Sequence, residues 1–408
     1  MTLEKRNKIV VFLLCFFAYT TAYLCRANFA IALPRMQQEA TLNKIILGSI
    51  GGAFFWTYAI GQLINGFLGD LISPRLLVGT GLFVSALCNI FIFLFPNTTI
   101  LIISWVINGF ALAALWGPIM RIVSVLYSPK IQSKIALALN TSMVLGYFLA
   151  WGGLGRVIAT NSWRLAFLIP GLVGLLIAFL WVILLPRGVV PKLEREVTPK
   201  KIQGKLKFGP VVLILIILCA ITQGIIKDGI SLWGPTILIE YAGLSHEKAT
   251  RSALLIPLLS LLGMFLAGFS EKLTASDDSL SFALLIVLSG LSFGAVRFAN
   301  LEGLKVAILI SLAGAFAYGA NTVLLAFVPL RFAKTGRVSA IAGVLDFLSY
   351  IGSAIAGPLM GFLAESGSWQ NALFIWLILA LTGAIASIGL RKTLKSKETA
   401  DVQVEFRD

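Results

Sequence analysis

The sequence predicts an all-α membrane protein with twelve spans arranged as two pseudo-symmetric six-helix bundles. Two observations support this prediction. The chain is 58% hydrophobic and only 12% charged, about half the charged fraction of a soluble domain, and its apolar residues form long blocks separated by short polar joints. A long basic joint divides these blocks into two sets of six.

Each apolar block is long enough for one membrane crossing, at roughly 20 residues per helix. The first block superficially resembles a secretory signal, but it is too long for a signal core and many spans follow, so we expect an uncleaved helix. The twelve helices are expected at about 8–33, 45–68, 75–95, 99–126, 134–159, 164–186, 210–240, 250–272, 279–299, 304–332, 336–363 and 370–391.

Composition and motifs argue against other classes of protein. The formal net charge is +15, but the basic residues cluster in the joints, so membrane topology explains them and no nucleic-acid partner is expected. The four cysteines lie inside apolar blocks without metal-ligand spacing, and we predict neither a metal nor a cofactor. The sequence contains no catalytic Ser/His constellation and no phosphate-binding Gly-x-x-x-x-Gly-Lys loop, which argues against an enzyme or an ATP-driven pump.

Basic residues mark one side of the membrane as cytoplasmic. They precede the first span, fill the joint between spans six and seven, follow the tenth span and trail the last. The positive-inside rule places these segments, and therefore both termini, in the cytoplasm of a multi-pass cell-membrane protein. The residues concerned are Lys5, Arg6, Lys8, Arg187, Lys192, Arg195, Lys200, Lys201, Lys205, Lys207, Arg331, Lys334, Arg337, Arg391, Lys392, Lys395 and Lys397.

The same joint separates two related halves. We expect an N-terminal bundle at residues 1–186, a cytoplasmic linker at 187–209 and a C-terminal bundle with a short tail at 210–408. Ser162-Trp163 opens the sixth span and Ser368-Trp369 opens the twelfth, as a repeat of six plus six spans requires. Parallel repeats of this kind are typical of the major facilitator fold.

Four ionisable residues lie within the predicted spans: Arg26, Lys227, Asp228 and Asp346. Each costs about 2.5–3.5 kcal/mol at a helix centre, so each needs a partner and is a candidate for function. Arg26 and Lys227 fall at similar depths in the first and seventh spans, which the repeat makes equivalent. We therefore expect these two cations to clamp an anionic substrate near the midplane, where such folds bind their substrates. The alternative is that each cation pairs with a buried carboxylate for packing.

The two acidic residues receive different interpretations. Asp346 is expected to serve as a proton-coupling group or as a counter-ion to one of the cations. Asp228 adjoins Lys227, and adjacent residues on a regular helix do not face each other. Asp228 is therefore expected to be structural and not to face Lys227, although it is kept beside Asp346 as a candidate coupling group or counter-ion.

Several segments resemble known transporters. "GFLGDLISPR" is similar to the signature loop between spans two and three of the major facilitator superfamily, where we expect Asp70 and Arg75 to brace the cytoplasmic side as a conformational gate. The segments "YTTAYLCRANFAIALP", "NTSMVLGYFLAWGG", "SWRLAFLIPG" and "IIKDGISLWGPTILIE" resemble the organophosphate:phosphate antiporters, which exchange glycerol 3-phosphate or hexose phosphates. The resemblance covers essentially the whole chain and implies transport by alternating access.

This resemblance implies roles for individual residues. Arg26 matches an arginine that binds phosphate in the family, and Lys227 stands at the position of a second such arginine. Tyrosines that line the family's cavity correspond to Tyr19, Tyr23 and Tyr350.

Two substrate-facing positions depart from the family pattern. Gln62 stands where the exchangers have a lysine, and Met143 stands where the glycerol-phosphate exchanger has a histidine. A lysine at position 227 is also a poorer bidentate phosphate ligand than an arginine. The expected substrate is therefore a phosphate ester or a related organic anion, including a carboxylate.

The expected function is secondary transport of this small anion by exchange, because an empty cavity with two unpaired cations would switch reluctantly. Inorganic phosphate or a proton is the expected coupled ion, the lipid bilayer is the surrounding partner, and the chain is expected to act as a monomer. A proton-coupled symporter of a carboxylate or sugar acid is the alternative. A transporter-like membrane sensor is a third possibility.

Overall fold

Long apolar helices make up most of the molecule. The computed structural model describes residues 3–39, 42–186, 209–331, 338–366 and 368–405, and this part contains helices but no strand. Within the described residues, twelve helical segments are long and apolar enough to cross a membrane, which confirms the predicted count. They are called spans 1 to 12 and run Lys8–Glu39, Lys44–Asn65, Pro74–Leu94, Thr98–Leu126, Lys134–Thr160, Leu165–Leu184, Pro210–Glu240, His246–Leu273, Asp278–Phe298, Leu304–Arg331, Ile341–Ser366 and Trp369–Leu394.

Some helices extend beyond the predicted span ends or beyond the apolar segments given above. Span 1 continues through Pro34 to Glu39, several residues past its predicted end, because neighbouring helices allow a membrane helix to accommodate proline. Four helices are longer than the spans that they contain, namely Leu3–Glu39, Lys44–Leu71, Val338–Ser366 and Trp369–Glu405.

Short polar side chains start several of the helices. In each case a side-chain oxygen accepts a hydrogen bond from the backbone N–H three residues later, one of the donors that a helix start leaves unpaired. The capping residues are Asn43, Asn97, Asp277 and Ser245. Polar joints of this kind therefore set both the beginnings of the helices and the connections between spans.

Spans 1–6 pack with one another, and so do spans 7–12, while spans 1 and 7, 2 and 11, and 5 and 8 join the two sets. Since the number of crossings is even, both ends of the chain lie on one side, here called the terminal face; the other side is the opposite face. The division at residues 1–186 and 210–408 stays a prediction. Of the predicted linker 187–209, residues 187–208 lie outside the described part of the chain, as do Lys334 and Arg337.

Glycines bring spans 2 and 11 into backbone contact near the opposite face. A Cβ atom on Gly48 would lie less than 3.0 Å from the carbonyl oxygen of Gly357, and a Cβ on Gly357 would be as close to that of Gly48. Small residues allow membrane helices to approach this closely. An ion pair between Lys44 Nζ and Glu240 Oε2, at 3.0 Å, joins spans 2 and 7 at the same face. The two sets of spans are therefore held together at the opposite face.

Spans 4 and 10 are interrupted close to a proline. Span 4 consists of helices Thr98–Leu112 and Trp116–Leu126, and Pro118 follows the break. Span 10 changes from the α-helix Leu304–Thr322 to a π-helical turn at Val323–Phe327, just before Pro329. Proline and π-helical turns are the usual causes of helix kinks. These two spans occupy corresponding places in the six-span repeat.

Candidate functional site

An ionic cluster joins spans 1 and 7 at the centre of the molecule. Arg26 Nη2 of span 1 lies 2.9 Å from Asp228 Oδ1 of span 7, and Lys227 Nζ lies 2.9 Å from Asp228 Oδ2. One carboxylate thus bridges the two cations. The structure brings Arg26 and Lys227 together as the repeat predicted, with Asp228 between them.

The pairing of Lys227 with Asp228 contradicts the sequence-based expectation for these neighbours. The Cβ atoms of adjacent helical residues point in different directions. The four-carbon stem of lysine is nevertheless long and flexible enough to fold back along the helix. Asp228 is therefore the counter-ion of both cations. Asp346, which was expected to be available for that role, has no ion-pair or hydrogen-bond partner among the described residues, although Lys227 and Arg26 act on it through their charges.

The cluster is almost completely shielded from solvent. The side chains of Arg26, Lys227 and Asp228 are 9%, 8% and 0% exposed. Ser353 Oγ of span 11 donates a further hydrogen bond of 2.5 Å to Asp228 Oδ2. Removing one member of a buried ion pair costs about 3–5 kcal/mol because the remaining charge loses its partner. The three ionic side chains consequently form one energetic unit.

Aromatic rings surround both cations. Five ring centroids lie 4.9–5.9 Å from the guanidinium carbon of Arg26, a distance at which the ring faces attract a cation. These rings belong to Tyr23, Phe54, Phe55, Tyr58 and Tyr350. Lys227 Nζ lies 5.3 Å from the ring centre of Tyr350 and 5.6 Å from that of Tyr318. Tyr350 therefore lies against both cations.

A small cavity borders Arg26 between spans of the two sets, and Phe55, Tyr147 and Ser231 help to line it. Ser231 Oγ also donates to the carbonyl of Lys227, at 3.1 Å. A larger cavity at the terminal ends of spans 7 and 9 to 12 is mainly apolar and does not include the cluster. The ionic groups, rather than cavity size, indicate where a charged ligand would bind.

The other predicted site residues lie at different distances from the cations. Tyr23 contacts Arg26, whereas Tyr19 is buried behind it, with its ring centre 5.2 Å from that of Tyr23. Gln62 is half-buried and interacts with the hydroxyl of Tyr58. Met143 is buried in span 5.

Of the two predicted gate residues, only Arg75 has a described side chain. Arg75 donates a hydrogen bond through Nη2 to the backbone carbonyl of Val182 in span 6, within the same set of six spans. The side chain of Asp70 lies outside the described part of the chain. The gating role of this pair stays a prediction.

A layer of neutral polar side chains lies one helical turn from the ionic cluster. Ser349 Oγ donates to Gln223 Oε1 at 2.9 Å, and Gln223 Nε2 donates to Asn321 Oδ1 at 3.0 Å. Sequence reasoning missed this amide layer, which is defined by Gln223, Asn321 and Ser349. It also missed Phe55, Tyr58, Tyr318 and Ser353. The available signal was helical spacing, since Gln223 precedes Lys227 by one turn and Ser349 precedes Ser353 by one turn.

Twelve spans in two sets of six, with a buried ionic site between them, define a membrane transporter of the six-plus-six type. The family model of the Major Facilitator Superfamily matches residues 15–349. The chain belongs to that superfamily, and it is a transporter rather than an enzyme.

Individual relatives and solved structures agree with this assignment. The chain is 27% identical to the "Glycerol-3-phosphate transporter" of Bacillus subtilis, covering 95% of this chain and 92% of the relative. It is 24% identical to the "Probable hexose phosphate transport protein" of Chlamydia muridarum (92% and 89%) and 23% identical to the "Hexuronate transporter" of Bacillus subtilis (94% and 94%). The inward-facing, unoccupied bacterial homolog of the human lysosomal transporter Spinster has the same fold, with a TM-score of 0.71, 18% identity, and coverage of 95% of this chain and 98% of the other.

Proposed function

We propose that the protein moves a small organic anion across the membrane by alternating access, with Arg26 and Lys227 holding the anionic group. The observation that carries this proposal is the buried cluster in which a carboxylate from span 7 already occupies the space between the two cations. A site that binds an internal carboxylate at 2.9 Å on each side offers the hydrogen-bond donors and positive charge that a substrate phosphate or carboxylate needs.

Charge limits the class of anion. Arg26, Lys227 and Asp228 together carry one net positive charge, and no cation occupies position 62 or 143. An anion with one negative charge at its binding group neutralises this cluster, and a second charge would lack a partner. The proposed substrates are therefore phosphate esters in their singly charged form, or carboxylates. Relatives named for glycerol 3-phosphate, hexose phosphate and hexuronate transport span both chemistries.

Asp228 changes the expectation for the mode of coupling. The expectation of exchange depended on two unpaired cations in the empty site, but Asp228 supplies a counter-charge without substrate. This removes the charge-based reason for the empty protein to switch slowly. Exchange against inorganic phosphate remains one candidate mode. Proton-coupled symport is the second, and it is favoured by Asp346, which lies within electrostatic reach of Lys227 without a direct partner of its own in the described structure.

Purified protein in liposomes would test the proposed function. We expect uptake of at least one labelled anion among glycerol 3-phosphate, glucose 6-phosphate and glucuronate. Arg26→Ala should abolish this uptake, whereas Arg251→Ala should not, because Arg251 lies in an exposed pair with Glu247 and 64% of its side chain is accessible. Uptake by folded Arg26→Ala protein with unchanged apparent affinity would refute the proposal.

We also propose that the protein resides in the cell membrane with its terminal face in the cytoplasm, as the distribution of basic residues favours. A single cysteine placed at position 200 should react with an impermeant thiol reagent only after the cells are opened. Labelling in intact cells would contradict this orientation.

A further inference from the structure

Three helices of the second set contribute to two parallel layers of the site, and Arg26 of span 1 completes the ionic layer. Spans 7, 10 and 11 supply Lys227 with Asp228, Tyr318 and Ser353 to the ionic layer. The same spans supply Gln223, Asn321 and Ser349 to the amide layer. Corresponding members are three or four residues apart, so the amide layer lies about 4.5–6 Å nearer the terminal face, roughly one helical turn at about 1.5 Å per residue.

The hydrogen bonds within the amide layer run in one direction. Ser349 donates to the oxygen of Gln223, and the nitrogen of Gln223 donates to the oxygen of Asn321. A side-chain amide has one acceptor and one donor end, so this chain leaves the Nδ2 group of Asn321 facing away from Gln223. That NH₂ group has no hydrogen-bond partner among the described residues. Gln223 and Ser349 are 0% and 1% exposed, whereas Asn321 is only half-buried.

The amide layer therefore has two buried, hydrogen-bonded members, Gln223 and Ser349, and one donor without a described protein partner, Asn321 Nδ2. A fully buried amide pair would satisfy its donors within the protein, whereas the Nδ2 group of half-buried Asn321 is left for water or for a ligand that replaces it. A neutral donor one turn from two cations suits a ligand with an anionic group at one end and hydroxyl oxygens at the other.

We propose that the amide layer is a second subsite, in which Asn321 Nδ2 donates a hydrogen bond to a hydroxyl of the substrate while Arg26 and Lys227 hold its anionic group. The substrate class is thus a hydroxylated anion, such as a polyol phosphate, sugar phosphate or sugar acid. Gln223 and Ser349 are positioning residues, since they orient the Asn321 amide without touching the ligand. This inference rests on the proposed function.

Two matched pairs of ligands test the subsite. Glycerol 3-phosphate and propyl phosphate carry the same anionic group and differ in their hydroxyls, as do glycerate and propionate. Their dissociation constants would be measured by thermal shift of the purified protein, since a ligand that binds the folded state stabilises it. We expect the hydroxylated member of the binding pair to bind wild-type protein about tenfold more tightly, the range expected for a hydrogen bond to an oriented donor.

Variants then assign this preference to the amide layer. Asn321→Leu should remove the preference by weakening only the hydroxylated ligand, and Ser349→Ala should reduce it by a smaller factor. Asn161→Leu is the matched control, because Asn161 is exposed at the opposite face, and it should leave the preference intact. A change in selectivity with little change in propyl phosphate or propionate binding separates a subsite from a general loss of folding.

The outcomes distinguish the two proposals. If wild-type protein binds no member of either pair and also takes up none of glycerol 3-phosphate, glucose 6-phosphate and glucuronate, the proposed anion transport itself is wrong. If it binds both members of a pair equally, the anion site stands and the hydroxyl subsite is refuted, without recourse to any variant. If the preference exists but survives in folded Asn321→Leu protein, the assignment to Asn321 is refuted.

Discussion

Replacing Asp228 by asparagine would test the central electrostatic feature of the site. The substitution preserves side-chain size and the ability to accept the hydrogen bond from Ser353, but it removes the negative charge between Arg26 and Lys227. Both cations are more than 90% buried, so solvent provides little screening. We therefore expect the ligand-free protein to unfold at lower temperature and any anionic ligand to bind more tightly.

The burial of the ion pairs sets the expected loss of stability and gain in affinity. Removing one partner of a buried ion pair costs about 3–5 kcal/mol, and the asparagine oxygen offsets part of this by accepting a hydrogen bond from Arg26. Taking the lower end, the ligand-free protein loses about 3 kcal/mol. An anion that restores the missing charge regains much of this energy, and every 1.4 kcal/mol corresponds to about a tenfold change in affinity. We expect at least a tenfold lower Kd for a phosphate ester or carboxylate.

Thermal shift of detergent-purified protein, with and without ligand, measures the unfolding temperature and the Kd of the ligand. Asp278→Asn is the matched control, because Asp278 pairs with Arg331 at the terminal ends of spans 9 and 10, away from the cluster. It should lower the unfolding temperature but leave the Kd unchanged. If Asp228→Asn protein has the melting temperature and the Kd of wild type, the bridging role assigned to Asp228 is wrong.

Three further variants examine neighbouring parts of the mechanism. Arg26→Ala should weaken anion binding about 10- to 150-fold, the loss of a hydrogen bond to a charged group, as measured by titration beside the Arg251→Ala control. Asp346→Asn should abolish uptake driven by a pH gradient while preserving counterflow; unchanged rates in both assays would exclude a coupling role. Gly48→Val should place its side chain against the Gly357 backbone and shift the protein away from the state closed at the opposite face. Increased thiol labelling from that face would show the shift, and unchanged labelling with normal transport would contradict it.

The sequence contained enough information for the spans and for the meeting of the two cations. Span length follows from bilayer thickness, and the equal depth of Arg26 and Lys227 follows from the repeat. The role of Asp228 depended on the path of a flexible lysine side chain and on the approach of span 1, neither of which is encoded in local spacing. The amide layer was harder to predict because Gln223, Asn321 and Ser349 are isolated neutral residues on three helices. Only tertiary packing places them at one level.

The interruptions of spans 4 and 10 separate the site mechanically from the terminal face. Backbone hydrogen bonding already departs from the α-helical pattern at residues 113–115 and at Val323–Phe327, so bending there costs less than bending a continuous helix. Tyr318 and Asn321 lie before the irregular turn of span 10, in the regular helix Leu304–Thr322. Bending at the interruptions would move the short segments beyond them, Trp116–Leu126 and Val328–Arg331, without changing the spacing of the groups around the ionic cluster. A conformational change on the terminal side could then occur without altering the geometry of the ligand-binding groups.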